Sequence, residues 1–189
     1  MELAQKKQKH YTYEDYFATP NGIRNELIDG EFYDMAPPTF NHQKLLIELS
    51  VKISNYIKEK GGDCKVIPAP FGVQLNEEDD TVVEPDISVI CDSNKITNRG
   101  CIGAPDWIIE IVSPANPGHD YVRKLNLYAK SGVREYWVVD PISWIVTVYF
   151  PKDGVIKPLE YSFEDKIKVG IYDDLTIDFV ELKEGLLIE

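Results

Sequence analysis

The chain has 189 residues, with 32 acidic against 20 basic side chains and a formal charge of −12. That balance argues against broad, non-specific nucleic-acid binding through basic patches. An apolar fraction of 43% with no apolar run near the roughly 20 residues of a membrane span points to an ordinary globular protein, and residues 1–7 lack the apolar core of a signal peptide, so one domain over residues 1–189 in the cytoplasm is expected.

In chain order, residues 12–19 read as a short helix with Thr12 as its cap and Asp15 three residues on. Residues 25–35 read as a hairpin turning through Asp29-Gly30, a favoured tight-turn pair. The longest helix is expected over 41–60, where Leu45, Leu46, Leu49, Ile53, Tyr56 and Ile57 recur at helical spacing and Gly61-Gly62 supplies the stop. Strands are expected at 64–67, 71–75 and 84–90, with a solvated acidic turn at 76–80 and a loop over 92–105. A strand carrying Glu110 ends at Ser113-Pro114, and 118–130 reads as a second helix. Strong strands follow at 135–139 and 144–150, joined by Asp140-Pro141-Ile142-Ser143, and weaker ones at 155–161 and 175–182. The pattern is a mixed sheet with few helices, an α/β or α+β domain with a core over about 11–150 and acidic C-terminal strands over 151–189. From Asp153 onward ten acidic residues face four basic ones.

The three cysteines, Cys64, Cys91 and Cys101, are odd in number and form no Cys-x-x-Cys pair. Reduced, partly buried thiols are expected, not a disulfide or a structural zinc site. Tyr136, Trp137, Trp144, Tyr149 and Phe150 crowd two adjacent strands, more apolar surface than a small core would bury. A homodimer is expected to cover the remainder.

Asp86 and Glu110 each interrupt an apolar, β-branched run, Val82-Val83-Glu84-Pro85-Asp86-Ile87-Ser88-Val89-Ile90 and Trp107-Ile108-Ile109-Glu110-Ile111-Val112. An ionised carboxylate buried in such a strand needs a cation or a proton. On neighbouring strands, two such groups about 4 Å apart repel by roughly 4 kcal/mol at an effective dielectric near 20. A divalent cation reverses the sign, so the pair reads as a metal site. On the second helix Asp120, Lys124 and Tyr128 fall on one face, which either forms an Asp120–Lys124 surface ion pair or delivers the Lys124 ammonium to the carboxylates. Acid, acid and lysine are what Mg²⁺-dependent phosphodiester hydrolysis requires. A Ser113–His119–Asp86 triad is disfavoured because Ser113 lacks the Gly-x-Ser-x-Gly elbow.

Pro85-Asp86 followed by Glu110-Ile111-Val112 resembles the metal-binding core of the PD-(D/E)XK superfamily. The resemblance is closest to a bacterial restriction-endonuclease-like family within it. It rests further on Glu26-Leu27-Ile28-Asp29-Gly30-Glu31, on His42 opening the long helix, on Pro105-Asp106 leading to Glu110-Ile111-Val112-Ser113-Pro114, on Lys124 with Tyr128, and on Gly132-Val133-Arg134-Glu135-Tyr136-Trp137-Val138-Val139-Asp140. The resemblance implies a restriction-endonuclease-like fold and a Mg²⁺- or Mn²⁺-dependent endonuclease acting on nucleic acid, most simply DNA. Asp86 and Glu110 would hold the metal, Lys124 would stabilise charge, and Glu26 and His42 would be accessory catalytic residues. The superfamily lysine usually stands two residues after the second acid, where this chain has Val112, so Lys124 is its displaced counterpart. The alternative is an inactive nuclease fold serving as a binding module.

Overall fold

The computed structural model describes residues 9–20, 22–76, 80–114, 119–151 and 157–188, without the side chains of residues 119 and 120. Helix α1 (Tyr13–Phe17) opens with a reciprocal cap: Thr12 accepts from the Asp15 N–H, and the Asp15 carboxylate accepts from the Thr12 N–H. Strands β1 (Asn25–Ile28) and β2 (Glu31–Asp34) form the expected hairpin. Its turn needs two left-handed residues, and Asp29 (φ 51°) and Gly30 (φ 77°) supply them. A side chain at Gly30 would also collide with the His10 ring, 2.1 Å from the position of its Cβ. Helix α2 (Phe40–Glu59) is capped by Thr39 and buries Leu45, Leu46, Leu49, Ile53 and Ile57.

The next strands are β3 (Lys65–Pro68), β4 (Val73–Gln74), β5 (Val82–Val83) and β6 (Ile87–Ile90). The predicted acidic turn lies partly outside the described residues. The segment read as a loop over 92–105 contains a small hairpin, β7 (Ile96–Thr97) and β8 (Gly100–Ile102). Its cause is packing that spacing does not encode: β8 lies against β4 so closely that a Cβ at Gly100 would stand 2.2 Å from the Gly72 carbonyl oxygen. Then follow β9 (Trp107–Ile111), α3 (His119–Ser131), β10 (Glu135–Asp140), β11 (Ile145–Tyr149) and β12 (Pro158–Ser162).

Two six-stranded sheets result, in the orders β2-β1-β5-β4-β8-β7 and β12-β11-β10-β9-β6-β3. In the second, β9 and β10 run parallel with α3 as their crossover, and the other pairs are antiparallel. This sheet is apolar on both faces. Trp107, Ile109 and Ile111 pack with α2 and the C-terminal segment, while Ile108 and Tyr136 pack with Tyr128 of α3 and with Val73, Val83 and Cys101 of the other sheet.

The tail differs from its expectation. After β13 (Lys166–Lys168) and β14 (Thr176–Asp178), residues read as strand form helix α4 (Phe179–Lys183), because Asp178 caps it by accepting from the Val180 N–H. The tail also covers part of the aromatic surplus: Phe163 and Phe179 lie 5.3 Å and 6.2 Å, centroid to centroid, from Trp144 and Trp137, and Tyr136 and Trp137 are fully buried. Trp144, Tyr149 and Phe150 stay partly exposed, so the tail covers only part of the aromatic face from which a homodimer was expected. The cysteine expectation is corrected as well. Cys64 and Cys91 are joined in a disulfide, because the Lys65–Ile90 register places them opposite one another with Cα atoms 3.9 Å apart; Cys101 stays a buried thiol.

Glu135 anchors the tail. Fully buried on β10, its carboxylate accepts from Trp137 Nε1 (2.7 Å), the Gly170 N–H (3.0 Å) and the Ile171 N–H (2.8 Å). Glu135→Ala strands those donors and should destabilise the fold by about 3 kcal/mol. Glu135→Gln, which keeps one acceptor oxygen, should lose roughly half as much. Urea denaturation at constant m-value checks this; a loss too small to resolve in both variants would show that the tail docks without Glu135.

Candidate active site

The register of β6 on β9 pairs Ile87 with Ile109 and Ser88 with Ile108, and one step further it sets Asp86 against Glu110. Two buried carboxylates therefore meet at one end of the central sheet, 8% and 5% exposed. The bare repulsion expected from sequence is not what surrounds them, because each has a protein partner. Glu110 Oε1 accepts from Tyr128 Oη (2.7 Å) and Lys124 Nζ (3.1 Å). The same Nζ lies 2.9 Å from Glu26 Oε1, which also accepts the Glu84 N–H at 2.8 Å. Asp86 Oδ2 accepts the Ile111 N–H (2.8 Å) and lies 3.1 Å from His42 Nε2.

Helix geometry explains how α3 reaches the pair. Lys124 and Tyr128 stand one turn apart on the face turned to the sheet, so both polar tips converge on one carboxylate oxygen. His42 reaches Asp86 from the first turn of α2, whose cap at Thr39 fixes where the helix begins.

Glu26, His42, Asp86, Glu110 and Lys124 are thus brought together, and sequence spacing alone could not show that Glu26 shares the Lys124 ammonium with Glu110. Lys124 is buried, so it is no surface lysine; the side chain of Asp120, its alternative partner, lies outside the described residues. The His119 side chain lies outside them too, and the histidine on Asp86 is His42. Val112 occupies the superfamily's usual lysine position and bonds the Val139 carbonyl through its N–H.

Three residues were not singled out from sequence. Arg24 grips Glu84 Oε2 through Nε (3.2 Å) and Nη2 (3.0 Å), and Tyr16 Oη donates to Glu84 Oε1 (2.8 Å). The only sequence signal was Glu84 standing two residues before Asp86.

A cleft of about 30 Å³ opens among Arg24, His42, Asp86, Glu110, Ser113 and Lys124. That volume admits an ion or a water. Around it Glu26, Glu84, Asp86 and Glu110 face two permanent cations, Arg24 and Lys124, a formal net of −2 with every acid ionised and His42 neutral; of the acids, Asp86 and Glu110 line the cleft itself. Asp86 Oδ1 and Glu110 Oε2 carry no hydrogen bond among the described residues. No group of three or more His, Cys, Asp or Glu among those residues forms a ready-made cage. Two hard carboxylate oxygens, a charge deficit of two and little room fit a divalent ion that keeps water in its shell, as Mg²⁺ does, and not a structural zinc ion. A larger cavity of about 660 Å³ beside β3 and the end of α2 has no carboxylate in its lining.

Comparison with known proteins places this geometry. Residues 12–178 match the Uma2 family, described as "Putative restriction endonuclease". The chain belongs to that family. An uncharacterized protein of Synechocystis is 28% identical over 149 residues, 77% of this chain and 76% of its own length. The fold is similar to that of a crystal structure described as "a putative nuclease belonging to DUF820 from Anabaena variabilis", with a TM-score of 0.78 and 22% identity over 93% of this chain and 99% of that one. The fold is restriction-endonuclease-like, as the sequence motifs implied. Among the described residues no helix is long and apolar enough to cross a membrane.

Burial raises the Glu110 pKa, opposed by the Lys124 ammonium and reinforced by the charges of Asp86 and Glu26. Burial alone would lower His42, but its hydrogen bond to Asp86 and the charge there outweigh it, so its pKa rises as well. A group whose folded pKa exceeds its unfolded value holds its proton more tightly in the fold. Its contribution is complete below the unfolded pKa and is lost as pH rises through the folded one. In chelator the melting temperature of this Uma2-family chain should therefore fall as pH climbs above 4.5 through the Glu110 transition and above 6.5 through that of His42. The carboxylates whose pKa is lowered act with opposite sign, Asp15, Asp165, Asp174 and Asp178 below their ordinary 3.8 and Glu48 below 4.5, while Glu135, raised by burial, acts in the same direction as Glu110. Thermal melts between pH 4 and pH 8, as an approximate range, check this against Glu110→Gln and His42→Gln, each of which should flatten its part of the slope. A wild-type curve that rises with pH above 6.5 would contradict the assignment.

Proposed function

We propose that the protein is a divalent-metal-dependent nuclease that hydrolyses phosphodiester bonds of nucleic acid, with DNA as the first substrate. The observation that carries this reading is the meeting of Asp86 and Glu110 across β6 and β9 over the Lys124 ammonium, in a small cleft whose two permanent cations are already paired with further acids, Glu84 and Glu26. Membership of a family described as "Putative restriction endonuclease" supports it.

Asp86 and Glu110 are the residues to hold Mg²⁺ or Mn²⁺. A divalent cation bound there supplies a Lewis acid for phosphate oxygens and lowers the pKa of an attacking water. His42 and the Ile111 N–H orient Asp86 through one oxygen and leave the other for a ligand. Tyr128 does the same for Glu110. Lys124, clamped between Glu26 and Glu110, lets two acids share a dry site before any ion arrives, and its charge remains beside the reacting phosphate. Glu26 sets the position of that lysine.

Supercoiled and single-stranded DNA, and RNA in a parallel arm, should be nicked in Mg²⁺ or Mn²⁺ and spared in chelator. Asp86→Ala and Glu110→Ala should each lower turnover by about 100-fold or more. Turnover that persists in both variants would sink the reading. Calorimetry with Mn²⁺ separates the alternative: a folded protein that binds no metal and cuts nothing is a binding module on a nuclease fold.

A further inference from the structure

Resting on the reading above, we infer that Arg24 is a phosphate-anchoring residue, the arm by which the cleft grips the backbone of a nucleic-acid strand beside the carboxylate pair.

The cations lining the cleft differ in what they can still bind. Lys124 has a side chain 3% exposed, and its ammonium serves two carboxylates among the described residues. His42 is 7% exposed and faces Asp86. Arg24 has a side chain 37% exposed. Of its five N–H groups, two engage Glu84, and the other three have no acceptor among the described residues. A guanidinium held at one edge and open at the other presents a planar fork, the geometry that matches a phosphate.

That fork is held in place. The Arg24 carbonyl accepts the Met35 N–H (3.1 Å), which fixes its backbone against the neighbouring strand. Glu84 cannot swing away, because Tyr16 Oη binds its second oxygen and its own N–H is spent on Glu26. Pro85 alone separates Glu84 from Asp86, so the anion-binding edge and the metal ligand are joined by one stiff residue. Glu26, two residues after Arg24, ties the same strand to Lys124. A chain of net charge −12 repels a polyanion overall, and a local, preorganised cation at the cleft is what such a surface needs to hold one.

A merely structural Arg24–Glu84 strut would show the same two bonds, so the test must read something a strut does not move. The probe is a fluorescent DNA strand of about 12 nucleotides, followed by anisotropy across a salt series with Ca²⁺ in place of Mg²⁺. The key variant is Arg24→Gln with Glu84→Gln, which removes both charges, leaves net charge unchanged and strands no buried carboxylate. Its binding should weaken by about five- to ten-fold, and the slope of log K against log salt should shrink by about 0.7, one phosphate contact on a single strand. Arg24→Lys should keep the slope and recover most of the affinity. A folded double variant with wild-type affinity and slope would overturn the inference, as would a wild type that does not bind the strand. A wild type whose binding depends on Arg24 but which never nicks DNA or RNA in Mg²⁺ or Mn²⁺ would refute the nuclease reading and leave the anchor standing. Cleavage with a salt slope indifferent to Arg24 would do the reverse.

Discussion

The site depends on one buried ammonium. Lys124 Nζ, between Glu26 and Glu110, is what allows carboxylates from two different sheets to end at the same point in the interior. Without it, strand-borne acids desolvated to this degree would have to take up protons or remain apart. With it, α3 is pinned across the junction of the sheets, and Tyr128, one turn further on, adds a second donor to the same carboxylate. The same charge thus holds α3 in place and gathers the acids at one point.

The remaining polar contacts form concentric support around that point. His42 and the Ile111 amide hold Asp86, and the Glu84 amide holds Glu26. Tyr16 and Arg24 hold Glu84. Each contact leaves its neighbour fewer ways to turn, which gives the site a defined geometry before ligand binding. Among the described residues the carboxylates of this network outnumber its permanent cations by two.

The central sheet makes this possible by being covered on both faces. The tail from β12 onward closes the side away from α3, with Phe163 and Phe179 against the tryptophans and Glu135 fastening Gly170 and Ile171 to β10. A polar cluster at the sheet end is then flanked by dry packing, and the dielectric around it stays low, which strengthens every charge interaction inside.

Much of this architecture was legible from sequence. The Thr12 cap, the Asp29-Gly30 turn and the apolar stripe of α2 depend on residues within four positions of one another, and such local preferences survive without tertiary context. The motif around Pro85-Asp86 and Glu110 identified the family and its fold. Only the tertiary structure decided the rest, because the deciding contacts join residues far apart in the chain. A register between β3 and β6 paired Cys64 with Cys91, which parity of the count had argued against. Close approach to β4 turned the presumed loop into β7 and β8, and the Asp178 cap turned the presumed strand into α4. Arg24 reaches Glu84 across 60 positions, and Lys124 on helix α3 finds Glu26 on β1. Spacing along a chain specifies which face a side chain occupies; only packing specifies which other face it meets.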